Sequence, residues 1–398
     1  MSTAIAFLSG KGGSGKTTLA LSMADLMSKC KIKTLLIDCD LSTNGATYFF
    51  ESNLRSRSSR EECAIYSFFD FLRLPEEVQV VLPTIINNSF HFLPSVVDIV
   101  DSNQQPLESI ALHSYQLTSK LKHMLSMTEG KYDVVLFDCQ AGYTELLPDL
   151  LPLMDVDIFV LEADSISASA MRNLHLKIGN SFGHAKLFQV FNKASEEEFE
   201  VYSKIVGTFF TNIGTLLFDW KIRQAFSRSQ IPGLESVSAK YSSDLLQICK
   251  VVLNDTENQK RLNTFSAYLQ YRQLDEERRS LEEKLAKSIR NPYSLLKKRP
   301  QVWLSAMLLS VTVMGMLIVM LVTQQEMTEL RSPIISIIVA AFFAVFIALI
   351  LTVFTGNLPA DRDLKRSYER QINTLSERMK RLEREIPSSL IDLNSSFE

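Results

Sequence analysis

A short stretch near the start of the chain has the residue types and spacing to hold a polyphosphate. Gly10-Lys11-Gly12-Gly13-Ser14-Gly15-Lys16-Thr17-Thr18 follows the pattern G-x-x-x-x-G-K-T. Glycines there bring backbone N–H groups close to phosphate oxygens. The apolar run TAIAFLS precedes the loop and the helix-forming LALSMADLMSK follows it, so the loop opens a helix whose N-terminus adds favourable partial charge. In this arrangement Lys16 lies along the β- and γ-phosphates and the Thr17 hydroxyl binds Mg2+. Phosphoryl transfer also needs charge neutralisation and an in-line water. Carboxylates suited to both stand at the ends of two later apolar runs, Asp38 and Asp40 after KTLLI and Asp138 after YDVVLF.

The elements that must position these side chains are legible as an alternation. TAIAFLS, KTLLID, FHFLPSV, YDVVLFD, DIFVLEAD, KLFQVFN and GTLLFD are strand-like runs separated by longer mixed segments. That pattern predicts an α/β fold, a mostly parallel sheet with helices on both faces and ligands at the carboxyl ends of the strands. Phe68, Phe69, Phe71 and Leu72 form an apolar cluster expected to pack as a helix.

The loop, with its extra early lysine, resembles the deviant Walker A motif of the ParA/MinD ATPases. The resemblance covers roughly residues 1 to 250. Asp38-Cys39-Asp40 is similar to that family's D-x-D, Asn44-Gly45-Ala46-Thr47 to its first switch, and Asp138-Cys139-Gln140-Ala141-Gly142 to its Walker B and second switch. Ile222-Arg223-Gln224-Ala225 with Ile231-Pro232 resembles a late segment of the family. The resemblance implies ATP and Mg2+ as cofactors. Gly12, Gly13, Ser14, Gly15, Lys16, Thr17 and Thr18 would bind the phosphates, and Thr17, Asp38 and Asp138 the metal. It further implies that Lys11 reaches the ATP of a second copy, so that two chains sandwich two nucleotides. Asp40 would orient the attacking water and Asn192 would read adenine. Leu41-Ser42-Thr43 and Cys139-Gln140 depart from the family's switch sequences.

Composition adds a membrane. The chain has 398 residues, 46% hydrophobic and 22% charged, with formal net charge -3. Disorder and a nucleic-acid coat are excluded by this balance. Five cysteines show neither a C-x-x-C pair nor a disulfide framework. Gln301–Thr323 and Pro333–Thr355 contain no charged side chain, and each reaches about 35 Å as a helix, enough to cross a bilayer. Lysines and arginines flank the outer ends of both runs, Lys297, Lys298 and Arg299 before the first and Arg362, Lys365 and Arg366 after the second. The loop between carries only Arg331. Both ends of the hairpin therefore face the cytoplasm. Ala340, Ala344 and Ala348 form a small-residue face that favours helix association, open to a higher oligomer. Leu364, Tyr368, Ile372, Leu375, Met379, Leu382 and Ile386 trace a heptad seam, and a charged helix precedes the membrane. Antiparallel pairing of the two into a stalk is geometrically open.

The expected organisation is an ATPase domain over 1–254, a charged juxtamembrane helix over 255–299, membrane helices over 300–323 and 333–356 around an extracytoplasmic loop at 324–332, a heptad helix over 360–387 and a tail at 388–398. The expected function is an Mg-dependent ATP hydrolase in a bacterial cytoplasmic membrane, an ATP-driven dimerisation switch acting on a protein partner, with nucleic acid not expected. Two alternatives are a membrane scaffold with a structural nucleotide, and a tyrosine autokinase, against which stand the tiny loop and a C-terminal segment without tyrosine after Tyr368.

Overall fold

The computed structural model describes residues 2–55, 64–73, 80–81, 83–96, 114–179, 181–194, 210–231, 239–290 and 359–386. In chain order the strands are β1 (Thr3–Leu8), β2 (Thr34–Asp38), β3 (Ala64–Ile65), β4 (Val80–Val81), β5 (Thr84–Asn87), β6 (Phe90–Leu93), β7 (Val134–Asp138), β8 (Val156–Leu161), β9 (Lys186–Ala194) and β10 (Thr211–Leu217). The helices are α1 (Lys16–Lys29), α2 (Gly45–Phe49), α3 (Glu51–Arg55), α4 (Phe68–Arg73), α5 (Ser114–Thr128), α6 (Leu147–Leu150), α7 (Ser165–Ile178), α8 (Trp220–Ser227), α9 (Ala239–Val252), α10 (Thr256–Arg290) and α11 (Pro359–Glu383). Two compact units divide the chain, Met1–Ala267 and Tyr268–Glu398.

The first unit is an α/β layer built on an eight-stranded sheet in the order β10-β9-β8-β1-β7-β2-β6-β5. All pairings in it are parallel except β5 with β6. β2, β7 and β8 are buried at every residue and β1 at all but its first, which is why they read as continuous apolar runs rather than alternating ones. β5 was not expected from sequence. It joins through a turn closed by Asn87, whose side-chain oxygen accepts the N–H groups of Ser89 and Phe90. β3 and β4 form a separate two-stranded sheet.

Helices cover both faces. One face buries Phe137, Phe159 and Phe191 together with Phe68, Phe71 and Leu72 from α4 and Met171 and Leu174 from α7. Burial of each such aromatic ring contributes about 1.5–3 kcal/mol. On the other face α1 is buried over most of its length, because α9 packs against it and against β10. Leu262 and Phe265 of α10 are buried in the first unit, where Arg261 donates to Lys31 O and pairs with Asp133 at 3.1 Å. β1 lies between β7 and β8, the point from which the chain has laid strands to either side. In open α/β sheets this is where a crevice opens at the strands' carboxyl ends.

In the second unit the rest of α10 and α11 touch through Tyr271, whose hydroxyl donates to Glu383 Oε1 at 3.0 Å. The heptad positions Leu375, Met379 and Ile386 are buried, while Leu364 is exposed. The two flanking helices thus meet within one chain. The apolar runs at 301–323 and 333–355, and the loop between them, lie outside the described residues. Among the described residues no helix is long and apolar enough to cross a membrane.

Candidate phosphate site

The loop between β1 and α1 is shaped by its glycines. Gly13 and Gly15 take φ of 82° and 85°, the left-handed region that other residues enter at a cost. A Cβ at Gly15 would also run into Asn192 Nδ2, and one at Gly10 into the backbone of Ala170 in α7. Gly15 stands at the N-cap of α1 and has no side chain with which to cap that end. The first N–H groups of the helix are therefore left to a ligand, and no acidic side chain in the first turn opposes an anion. Gly12 and Gly13 are exposed at the mouth, Ser14 is buried, and Thr17 and Thr18 are half-buried in the first turn.

One side of the crevice is buried and acidic. Asp38 and Asp138 end adjacent strands in direct register and are both 0% exposed. Lys16 reaches between the strand ends and donates to Asp138 Oδ1 at 2.8 Å. Burial alone would lower the Lys16 ammonium, but Asp138 outweighs this and holds it above the ordinary lysine value. Asp138 Oδ2 is buried with no hydrogen-bond partner among the described residues. Asp38 accepts from Asp40 N at 3.0 Å, Thr47 N at 2.9 Å and the Thr47 hydroxyl at 2.7 Å. Burial, and then the neighbouring Asp138, push its carboxyl up to about 7. Two buried carboxylates against one lysine is a donor set that fits a divalent cation beside a triphosphate. The open Asp138 oxygen and the Thr17 hydroxyl, which faces Gly45 of α2, are oxygen donors of the kind magnesium takes.

Asp40 is held by its own turn. Its Oδ1 accepts from Ser42 N and Thr43 N, and its Oδ2 accepts from the Thr43 hydroxyl at 2.6 Å. Oδ1 spends both lone pairs on these amides, whereas Oδ2 keeps one, so capacity for a water remains there. Asn44, with φ 51°, and Thr47 fix α2 through Ser95: the Ser95 hydroxyl donates to Asn44 Oδ1, and Ser95 N donates to Thr47 Oγ1.

The other side of the crevice is partly exposed and rich in ion pairs. Lys11 Nζ lies 2.7 Å from Glu162 Oε2 and 3.1 Å from Asp164 Oδ2. Asp164 also caps α7, accepting from Ser167 N at 2.6 Å. Lys193 pairs with Glu162 Oε1 at 3.1 Å and donates to Gly13 O. Asn192 is buried, and its amide nitrogen donates to Ser14 O at 2.9 Å. Beyond β10, Phe218 and Trp220 are exposed, with the Arg223 guanidinium 5.4 Å from the Trp220 ring. At its other end α8 places Phe226 on Phe49 of α2, ring centroids 4.8 Å apart.

The sequence therefore pointed to residues that the structure gathers at one place: the loop 10–18, Asp38, Asp40, Asp138 and Asn192. Glu162, Asp164, Lys193, Thr47 and Ser95 were missed. Glu162 and Asp164 had a signal, since they close the strand-like run DIFVLEAD at the same sheet edge as the loop.

Residues 2–181 match the family model of an AAA domain. The chain is similar to an uncharacterized protein of Borreliella burgdorferi, 24% identical over 241 residues, an alignment covering 54% of this chain and 94% of that one. It is also similar to an uncharacterized ATP-binding protein of Methanocaldococcus jannaschii, 24% identical over 216 residues and covering 50% of this chain and 78% of the relative. Among solved structures, a putative plasmid partition protein from Borrelia burgdorferi bound to AMPPNP superposes with a TM-score of 0.50 at 17% identity, covering 64% of this chain and 99% of that one. At that identity the likeness is one of fold. The AAA-domain match includes the loop, Asp38, Asp40, Asp138 and the Glu162–Asp164 pair, and it stops before Asn192 and Lys193.

Proposed function

We propose that the chain is a ParA/MinD-type ATP switch fixed in a membrane, binding ATP with Mg2+ and closing as a dimer. The observation that carries the nucleotide part is the meeting of an uncapped, glycine-shaped helix start with Lys16, Asp38 and Asp138. The AAA-domain match and the ATP-binding relative support the same assignment. Gly12, Gly13, Ser14 and Gly15 offer backbone N–H groups to the phosphates, and Lys16 places a positive charge beside them. Thr17, Asp38 and Asp138 would hold magnesium, which when bound supplies charge neutralisation for phosphoryl transfer. Asp40 orients a water by exchanging one of its contacts with Thr43. Lys11 leaves Glu162 and Asp164 for the triphosphate of a second copy.

Membrane anchoring rests on the two uncharged runs at 301–323 and 333–355 and on the basic residues outside them. The meeting of α10 and α11 through Tyr271 supports a stalk leading to that hairpin. Location is then constant, and only conformation and partner binding cycle.

The test measures ATP turnover and particle mass of the full chain in detergent, for the wild type and Lys16→Ala. The expected result is magnesium-dependent turnover and a doubling of mass with ATP in the wild type, both lost in the variant. Equal turnover in the two proteins rejects the proposal. Dimerisation without turnover would instead favour a scaffold with a structural nucleotide, a reading that the three contacts closing on Asp40 also support.

A further inference from the structure

Lys193 is the one site residue whose position depends on an irregularity in the sheet. β9 and β10 pair in register from Gly214 opposite Val190 to Leu216 opposite Asn192, and the next pair is Leu217 opposite Ala194; an earlier shift, between Asn212 and Gly214, adds its extra residue to β10 instead. Lys193 is the extra residue of a bulge, and its φ of 58° places a side chain with a Cβ in the left-handed region. Bulges beside a site re-aim a side chain, and backbone strain of this kind persists where the surroundings enforce it. Here the re-aimed ammonium arrives at Gly13 O in the phosphate loop and at Glu162.

Glu162 is shared. Its Oε2 holds Lys11 and its Oε1 holds Lys193. The hydrogen bond that it donates to Glu162 holds the Lys11 ammonium above its ordinary value. Burial alone would raise the Glu162 carboxyl, yet the hydrogen bonds from Lys11 and then Lys193 bring it below its ordinary value. When Lys11 departs, Asp164 keeps the Ser167 N–H and hydroxyl. Among the described residues Glu162 has no such local donor; what it keeps is Lys193. Without Lys193, releasing Lys11 would leave a quarter-exposed carboxylate uncompensated beside the mouth through which a triphosphate enters.

We infer that Lys193 is a positioning residue which stays on Glu162 as its counter-charge and so lets Lys11 leave for the second copy. The inference rests on the proposed ATP-driven dimer. It differs from a purely structural role, in which Lys193 would only brace Gly13 and its removal would weaken ATP binding to a single copy.

The experiment uses the full chain in detergent and reads two quantities separately. These are Mg-ATP binding to the single copy at high dilution, and the Mg-ATP concentration giving half-maximal dimer mass. Lys193→Ala is expected to raise the second about fivefold, the scale of one half-exposed ion pair, while changing the first by less than about twofold. Lys193→Arg should restore the wild-type value. On a Glu162→Gln background Lys193→Ala should have no further effect, because the pair it acts through is already gone. The inference is overturned if Lys193→Ala dimerises like the wild type, if its defect persists in full with Glu162→Gln, or if the defect lies wholly in single-copy binding. A wild type that binds ATP and stays single would defeat the dimer reading itself, before any variant is compared.

Discussion

The two sides of the phosphate crevice handle charge in opposite ways. On the β2–β7 side, Asp38, Asp138 and Lys16 are buried, and every contact is short and inside the core. On the β8–β9 side, Lys11, Lys193, Glu162 and Asp164 are each between a quarter and two-fifths exposed and share partners. Buried pairs are costly to break because the remaining charge cannot reach water, whereas half-exposed pairs exchange at small cost. The first side is suited to keep its partners and the second to exchange them.

The strongest way to break this contrast is Lys16→Ala. It leaves Asp38 and Asp138 buried without their cation, and a loss of about 3–5 kcal/mol of folding stability is expected, measured by chemical denaturation. ATP binding should fall with it. A variant as stable as the wild type would mean that the buried side is not held by this lysine.

Asp157 in β8 serves as a control, a carboxylate 0% exposed with neither oxygen hydrogen-bonded among the described residues. Burial pushes its carboxyl up to about 8. Between pH 4 and 8 the folded chain keeps a proton there that the unfolded chain has lost. This group therefore lowers stability by about 1.4 kcal/mol for each unit of pH rise in that window, with no further loss above it. Asp157→Asn should remove that component of the slope, read as the difference between denaturation midpoints from pH 5.5 to 8.5. Identical slopes would show that Asp157 finds a partner.

Next in size is Gly15→Ala, which adds a Cβ at φ 85° and against Asn192. A destabilisation of about 1–3 kcal/mol is expected, with weaker ATP binding, measured by thermal unfolding and titration. The smallest effect belongs to the exchangeable side. Glu162→Gln frees Lys11 from its closest partner and should lower the Mg-ATP concentration for half-maximal dimer mass by about threefold, with stability unchanged within about 0.5 kcal/mol. A loss of stability comparable to Lys16→Ala would erase the distinction between the two sides.

The legible parts of the molecule were those written locally. Lys16, Thr17 and the glycines announce themselves by spacing, and Asp38 and Asp138 stand out because each ends a fully apolar run that becomes a buried strand. Seven strand-like runs correspond to the seven parallel strands of the main sheet, while the short β5 escaped notice because its turn depends on the single Asn87 side chain. The ion pairs of Lys11 were not legible: Glu162 and Asp164 lie far along the chain and meet it only because β8 sits beside β1. Lys193 was harder still, since a bulge between β9 and β10 has no sequence signature here beyond an ordinary lysine after an asparagine. Asn192 shows a further limit, because the resemblance implies contact with a base, whereas the fold also ties its amide to Ser14 O.

The close crossing of α7 behind Gly10 has a kinetic consequence. With no room for even one carbon between the loop and Ala170, a swing of the loop at Gly10 toward α7 is blocked, which favours delivery of Lys11 by its own side chain. The proposed transfer would then run through rotations about its own side-chain bonds, which in a partly solvated lysine take picoseconds to nanoseconds. In the proposed membrane-anchored dimer, the clock of the switch would then be set by how often two copies collide in the plane of the bilayer, not by how fast the lysine turns.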